Sequence, residues 1–152
     1  MENATIKAKY WAEKLKMPVI AEDSGIEIDA LDGYPGVYTK RCLEKLCPGS
    51  NVNVDKPSEL YPIILDLMGE SENKDTTAHW VTAMAFIDNK RTIYVEEKLD
   101  GDMCQKAGQR EFGFDQYFKA KGYDKTLSEL SPEEKDNIGP RKKAFETILK
   151  AI

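Results

Sequence analysis

Apolar residues recur at helical spacing between Asn3 and Met17: Ala4, Ala8, Trp11, Ala12 and Leu15 share one side, lysine and glutamate the other, until Pro18 interrupts the pattern. A helix is predicted there. Pro18-Val-Ile-Ala21 reads as a short buried strand, and Ile26, Ile28 and Ala30 alternate with polar residues as a second strand should. Glu22-Asp-Ser-Gly25 between them reads as an acidic turn delivering side chains to a sheet end. Gly33-Tyr-Pro-Gly36 is a turn leading into a helix from Val37 to Leu46, stopped by Pro48-Gly49. A further helix runs from Pro57 to Met68, with Leu60, Ile63, Ile64 and Leu67 on its inner face. Alternation over Ala78–Ile87 and Arg91–Leu99, around Asp88-Asn-Lys90, predicts a long antiparallel hairpin. Ser131-Pro-Glu-Glu134 has the form of a capping box, and Gly139-Pro140 opens a last helix striped by Ala144, Phe145, Ile148, Leu149 and Ile152. The pattern is that of an α/β fold, a mixed sheet covered by helices. No repeat and no long linker divides it, so residues 1–152 read as a single domain.

Composition narrows the function classes. A chain of 152 residues buries enough surface for one core without disulfide staples. Its net charge of -5 argues against a broad footprint on nucleic-acid backbones, so any phosphate it binds should sit in a local pocket. Cys42, Cys47 and Cys104 form no CxxC pair, which suits reduced thiols in a cytoplasmic setting. No apolar run approaches the roughly 20 residues of a membrane-spanning helix. The reading expects neither a nucleic-acid nor a membrane partner.

Two charged clusters carry candidate chemistry. Glu2, at a helix start, with Glu22 and Asp23 supplies hard oxygen ligands of the kind Mg²⁺ takes. The plainer alternative has Glu2 favouring the helix dipole and Asp23 making a turn with Ser24-Gly25. Lys135 and Arg141, beside a helix N-terminus, make either a phosphate cradle or ordinary solvated charge, with Lys142 and Lys143 read as solvated. Phe112, Phe114, Tyr117 and Phe118 either stack a base or belong to the core. His79, the only histidine, reads as structural, so a hydrolase triad has little support, and no GxxxxGK[ST] or GxGxxG occurs.

At these clusters the sequence resembles the inosine triphosphate/xanthosine triphosphate pyrophosphatase family. Glu2-Asn-Ala-Thr-Ile-Lys-Ala8 is similar to the family's ENAxxKA helix and Ala21-Glu-Asp-Ser-Gly25 to its ADDSG box. Ala30-Leu-Asp-Gly33, Pro35-Gly-Val-Tyr38 and Arg41 resemble ALxGxPGVYSAR, Phe112-Gly-Phe-Asp115 resembles FGYD, and Lys125-Thr-Leu-Ser-Glu129 with Glu134-Lys135 resembles KTxAELxxEEK. The resemblance implies an elongated sheet, two lobes with a central cleft, a homodimer, and Mg²⁺-dependent hydrolysis of non-standard purine nucleoside triphosphates (ITP, dITP, XTP) to monophosphate and pyrophosphate. Carried over, Glu2 and Asp23 would hold the metal and Asp23 would direct the attacking water. Ser24 would contact substrate, Phe112, Gly113, Phe114 and Asp115 would line the base pocket, and Lys135 and Arg141 would bind base or phosphate oxygens.

Some features depart from the family pattern. The family opens with a strand and a TGNxxK phosphate loop that do not precede Met1, so the reading expects a domain N-terminally truncated relative to the family, with weak or absent turnover in isolation. A non-catalytic nucleotide-binding or dimerising protein is the alternative. Glu22 stands where the family has aspartate, with the same charge and a longer reach. Gly139-Pro140-Arg141 replaces Ser-His-Arg, and Glu111 and Gln116 replace the glycine and proline flanking FGYD.

Overall fold

The computed structural model describes residues 2–39, 56–70 and 75–152. Its elements are α1 (Glu2–Leu15), β1 (Val19–Ile28), β2 (Tyr34–Gly36), α2 (Pro57–Glu70), β3 (Thr77–Ile87), β4 (Thr92–Met103), β5 (Phe118–Ala120), α3 (Pro132–Ile138) and α4 (Pro140–Ala151). Short 3-10 turns occupy Asp29–Leu31 and Asp115–Tyr117. The α/β class holds. The sheet has the order β2-β1-β3-β4-β5, and every pairing among the described strands is antiparallel, where the sequence predicts a mixed sheet.

β1 departs furthest from its local sequence pattern. Residues 19–28 form one unbroken strand, each opposite a residue of β3 from Val19↔Ile87 to Ile28↔Ala78. Glu22-Asp-Ser-Gly25 therefore lies in the middle of a strand, not in a turn. Asp, Ser and Gly are turn-formers by local propensity, but pairing with the long apolar strand β3 overrides that preference. Gly25 serves close approach instead of a turn: a Cβ there would lie 2.3 Å from the Gly36 carbonyl oxygen on β2.

Neighbouring strand residues face opposite sides of a sheet, so the acids of β1 are split between its two faces. Asp23 shares a face with Ala21, Ala83 and Ala85, against which the fully buried Ala4 and Ala8 of α1 pack. Small residues on both sides let the helix lie close. Glu22 and Ser24 share the other face with Met84 and Phe86, where Ala144 and Ile148 of α4 dock. The stripe foreseen on α1 is buried only at its N-terminal half, since Trp11 and Leu15 are exposed; Phe145 and Leu149 of α4 are exposed likewise.

A larger core gathers Ile26 and Ile28 of β1, Trp80 of β3, Leu60, Tyr61 and Ile64 of α2, and Phe114, Tyr117 and Phe118. On α2 the inward side chains are Leu60, Tyr61, Ile64 and Met68, while Ile63 and Leu67 are only partly buried. The hairpin forms as foreseen, its turn closed by Asp88, whose carboxylate accepts from the backbone N–H groups of Lys90 and Arg91 at 2.7 and 2.6 Å. The capping box forms too: Glu134 N–H donates to Ser131 Oγ at 3.1 Å and Ser131 N–H to Glu134 Oε2 at 2.7 Å. The helix expected over 37–46 lies outside the described residues from position 40 onward, as do Arg41, Cys42 and Cys47; 37–39 form a turn.

Candidate functional site

A cleft of about 460 Å³ opens where β1 runs past its short neighbour. β2 pairs only with Ile26–Ile28, so among the described residues Val19–Ser24 have no strand on that side. An open edge lets side chains from both faces of the sheet reach one space. Glu22, Asp23 and Ser24 line it together with Lys7, Tyr61, Trp80, Lys135 and Arg141, and residues 111–115 close it.

The acids have different partners. Asp23 Oδ2 accepts from Asn3 Nδ2 at 3.0 Å, and Asp23 Oδ1 is ion-paired with Lys7, one helical turn beyond Asn3 on the same side of α1. Lys7 also donates to the Glu22 carbonyl oxygen at 3.1 Å, capping the open edge. Asp23 thus presents its carboxylate with a half-exposed cation on it, that of Lys7. On the other face Arg141 grips Glu22 in a fork, Nε to Oε2 at 2.7 Å and a terminal nitrogen to Oε1 at 3.0 Å.

The third group is aromatic and charged. Asp115 is only 5% exposed and ion-paired with Lys135, whose ammonium lies 5.5 Å from the Trp80 ring centroid and 5.2 Å from that of Phe112. Burial pushes the Asp115 carboxyl above the usual carboxylate range, and Lys135 opposes that rise. Gly113, at φ +53°, turns the chain so that its two aromatic neighbours diverge. Phe112 is 65% exposed at the cleft, whereas Phe114 is buried edge-on between Trp80 and Phe118. The core reading holds for Phe114, Tyr117 and Phe118, and Phe112 alone of the run is exposed. The loop is pinned from behind: Thr126 Oγ1 donates to the Ala107 carbonyl at 3.1 Å, Ser128 Oγ to that of Arg110 at 3.0 Å, and Arg110 to the carbonyls of Leu127, Ser128 and Leu130.

Of the residues singled out in the sequence, Asp23, Ser24, Phe112, Gly113, Phe114, Asp115, Lys135 and Arg141 all line this cleft. Glu2 does not. It is exposed at the first position of α1, one residue round the helix from Asn3. Among the described residues no three His, Cys, Asp or Glu side chains converge as a metal cluster. Mg²⁺ asks less, one or two carboxylates with phosphates and water completing the shell, and Asp23 in an open cleft fits that donor set. His79 is held between Asp100, 2.8 Å from Nδ1, and Asp29, 3.2 Å from Nε2. Sequence reasoning missed Trp80, Tyr61 and Thr82. Thr82 left a readable signal, a lone hydroxyl within the apolar run of β3; Trp80 and Tyr61 left none.

A model of the Ham1 family matches residues 1–151. The chain belongs to the Ham1 family. The dITP/XTP pyrophosphatase of Aquifex aeolicus is 33% identical over 154 aligned positions, spanning the whole of this chain and 75% of the relative. That of Dictyoglomus thermophilum is 36% identical over 150, spanning 97% of this chain and 69% of the relative. Among solved structures, the Staphylococcus aureus Ham1 protein superposes with a TM-score of 0.83 at 30% identity, over 97% of this chain and 72% of that one. A HAM1 protein from Coxiella burnetii gives 0.84 at 26%, over 99% and 76%. The acidic strand, the Phe-Gly-Phe-Asp loop, Lys135 and Arg141 lie around one cleft in this member of the Ham1 family. No helix among the described residues is long and apolar enough to cross a membrane.

Proposed function

We propose that this Ham1 chain hydrolyses non-standard purine nucleoside triphosphates, namely inosine, deoxyinosine and xanthosine triphosphates, to the monophosphate and pyrophosphate. The observation that carries the reading is the pairing, in one cleft, of an acidic wall (Glu22, Asp23) with an aromatic and charged wall (Phe112, Asp115, Lys135). The exposed Phe112 ring takes the face of the base. The Lys135 ammonium, between two rings and against Asp115, donates to a 6-oxo group, and an exocyclic amine at that position would leave a buried donor unpaired.

Asp23 is the metal ligand and the carboxylate that orients the attacking water, with Glu2 as a second donor from the start of α1. Mg²⁺ held there would neutralise the triphosphate and stabilise charge on the departing pyrophosphate. Lys7, released from Asp23, turns its long stem toward the phosphates. Ser24 and Arg141 hold the substrate from the opposite face of the strand. Association as a homodimer belongs to the same reading, supported by the apolar side chains Ile6, Tyr10, Trp11 and Leu15 left exposed on α1. So does a cytoplasmic setting, where free nucleotides are held.

The test is pyrophosphate release from deoxyinosine triphosphate and from deoxyadenosine triphosphate in Mg²⁺. The reading expects release from the first at a value of kcat/KM about a hundredfold or more above the second. Equal rates would remove the base-recognition role of Lys135 and Asp115. Binding without release would remove hydrolysis.

A further inference from the structure

Thr82 sits on β3 directly opposite Ser24 of β1, fully buried, with its Oγ1 2.8 Å from Ser24 Oγ. Ser24 Oγ lies 2.9 Å from Glu22 Oε1, the oxygen that also accepts from Arg141 at 3.0 Å. The direction of this chain follows from its end. A carboxylate only accepts, so the Ser24 proton goes to Glu22, and the Thr82 hydroxyl must donate to Ser24. The order is Thr82 to Ser24 to Glu22, with Arg141 closing from the other side.

We propose that Thr82 is a positioning residue for the cleft: through Ser24 it fixes the Glu22 carboxylate, and through Glu22 it holds the Arg141 guanidinium where substrate is bound. Each link polarises the next, and a hydroxyl shut away from solvent has no water to replace its partner. Glu22 is what allows the relay to reach. An aspartate would end one methylene short of the fork that Arg141 makes. Without Thr82, Ser24 loses the donor that fixes its rotamer, Glu22 loses an aligned hydrogen bond, and the carboxylate that Arg141 grips is held less firmly. The effect should fall on substrate binding, because the Asp23 carboxylate is held from the other face by Asn3 and Lys7 and not by this chain of hydrogen bonds.

This proposal rests on the triphosphatase reading for its kinetic arm, so its test includes a measurement that needs no substrate. Exchange of the Arg141 Nε–H with water is followed by nitrogen-15 NMR, the signal being identified by its disappearance in Arg141→Lys. Thr82→Val, which keeps shape and removes the donor, should speed that exchange about tenfold. It should raise KM for deoxyinosine triphosphate about tenfold with kcat within about twofold, and Thr82→Ser should restore both. Thr82→Ala serves as the second donor-free variant should Val not fold. In an Arg141→Ala background Thr82→Val should have no further effect on KM. Unchanged Arg141 exchange in both donor-free variants would overturn the proposal, as would a KM increase of the same size without Arg141. A wild-type chain that releases no pyrophosphate would sink the triphosphatase reading alone, and the NMR comparison would still decide the role of Thr82.

Discussion

Arg141, in the first turn of α4, and Glu22, in the middle of β1, are 119 positions apart in sequence and joined by a two-pronged ion pair across the cleft mouth. The pair ties the C-terminal helix to the strand that carries Asp23. Both partners are substantially solvated, with side chains 49% and 29% exposed, so the pair's value lies in placement more than in folding energy.

Glu22→Gln accordingly should change unfolding free energy in urea by less than about 1 kcal/mol. It should raise KM several-fold, because the neutral amide holds the guanidinium less firmly. A loss of several kcal/mol would mean that the pair is structural.

The buried pair behaves differently. Asp115→Ala leaves the Lys135 ammonium without its partner in a site where Asp115 is nearly inaccessible, and unfolding free energy should fall by about 3 kcal/mol or more. Phe112→Ala is the contrasting substitution on the same loop. Its ring is solvent-facing, so stability should shift by no more than about 0.5 kcal/mol, while the affinity for inosine nucleotides should drop by the 1–3 kcal/mol of a roughly single stacking contact. Denaturant melts and nucleotide titrations of both variants separate the two effects.

Asp115 also predicts a pH dependence. Its folded pKa is raised, chiefly by burial, so on acidification it takes up its proton before an ordinary aspartate does. In the window between the unfolded and folded values the native state binds more protons than the unfolded state, and this group's contribution to stability therefore falls as pH rises through that window. Nucleotide affinity runs the opposite way, because protonated Asp115 no longer holds Lys135. Affinity should decline on acidification with a limb lying above the usual aspartate range, and that limb should be missing in Asp115→Asn.

The sequence-level reading succeeded where chemistry is local and stumbled where partners are distant. The hairpin turn at Asp88 and the capping box at Ser131 depend on residues within three positions, and both formed as read. The boxes holding Asp23, Phe112, Asp115, Lys135 and Arg141 were legible because several spaced motifs occurred in order. The course of β1 was not legible, because Glu22-Asp-Ser-Gly25 has turn chemistry and only pairing with β3, more than fifty residues away, keeps it extended. The roles of Asn3 and Lys7, which contact Asp23 at the i, i+4 spacing of one helix side, were not legible, because their partner lies on a strand sixteen or more residues away.

Gly25 offers a test of that strand. Gly25→Ala would drive a methyl into the Gly36 carbonyl, and β2 with Thr39, whose hydroxyl accepts from Ile26 N–H at 2.9 Å, would have to move. The variant should lose about 1–3 kcal/mol of stability. If residues 22–25 were a free turn, alanine there would be nearly neutral.

The account depends most on Asp23 as the carboxylate that holds the metal and directs water. Asp23→Asn, nearly isosteric, should retain the melting behaviour of the parent and lower Mg²⁺-dependent pyrophosphate release from deoxyinosine triphosphate by about a hundredfold or more. Undiminished release by a folded Asp23→Asn chain would contradict it.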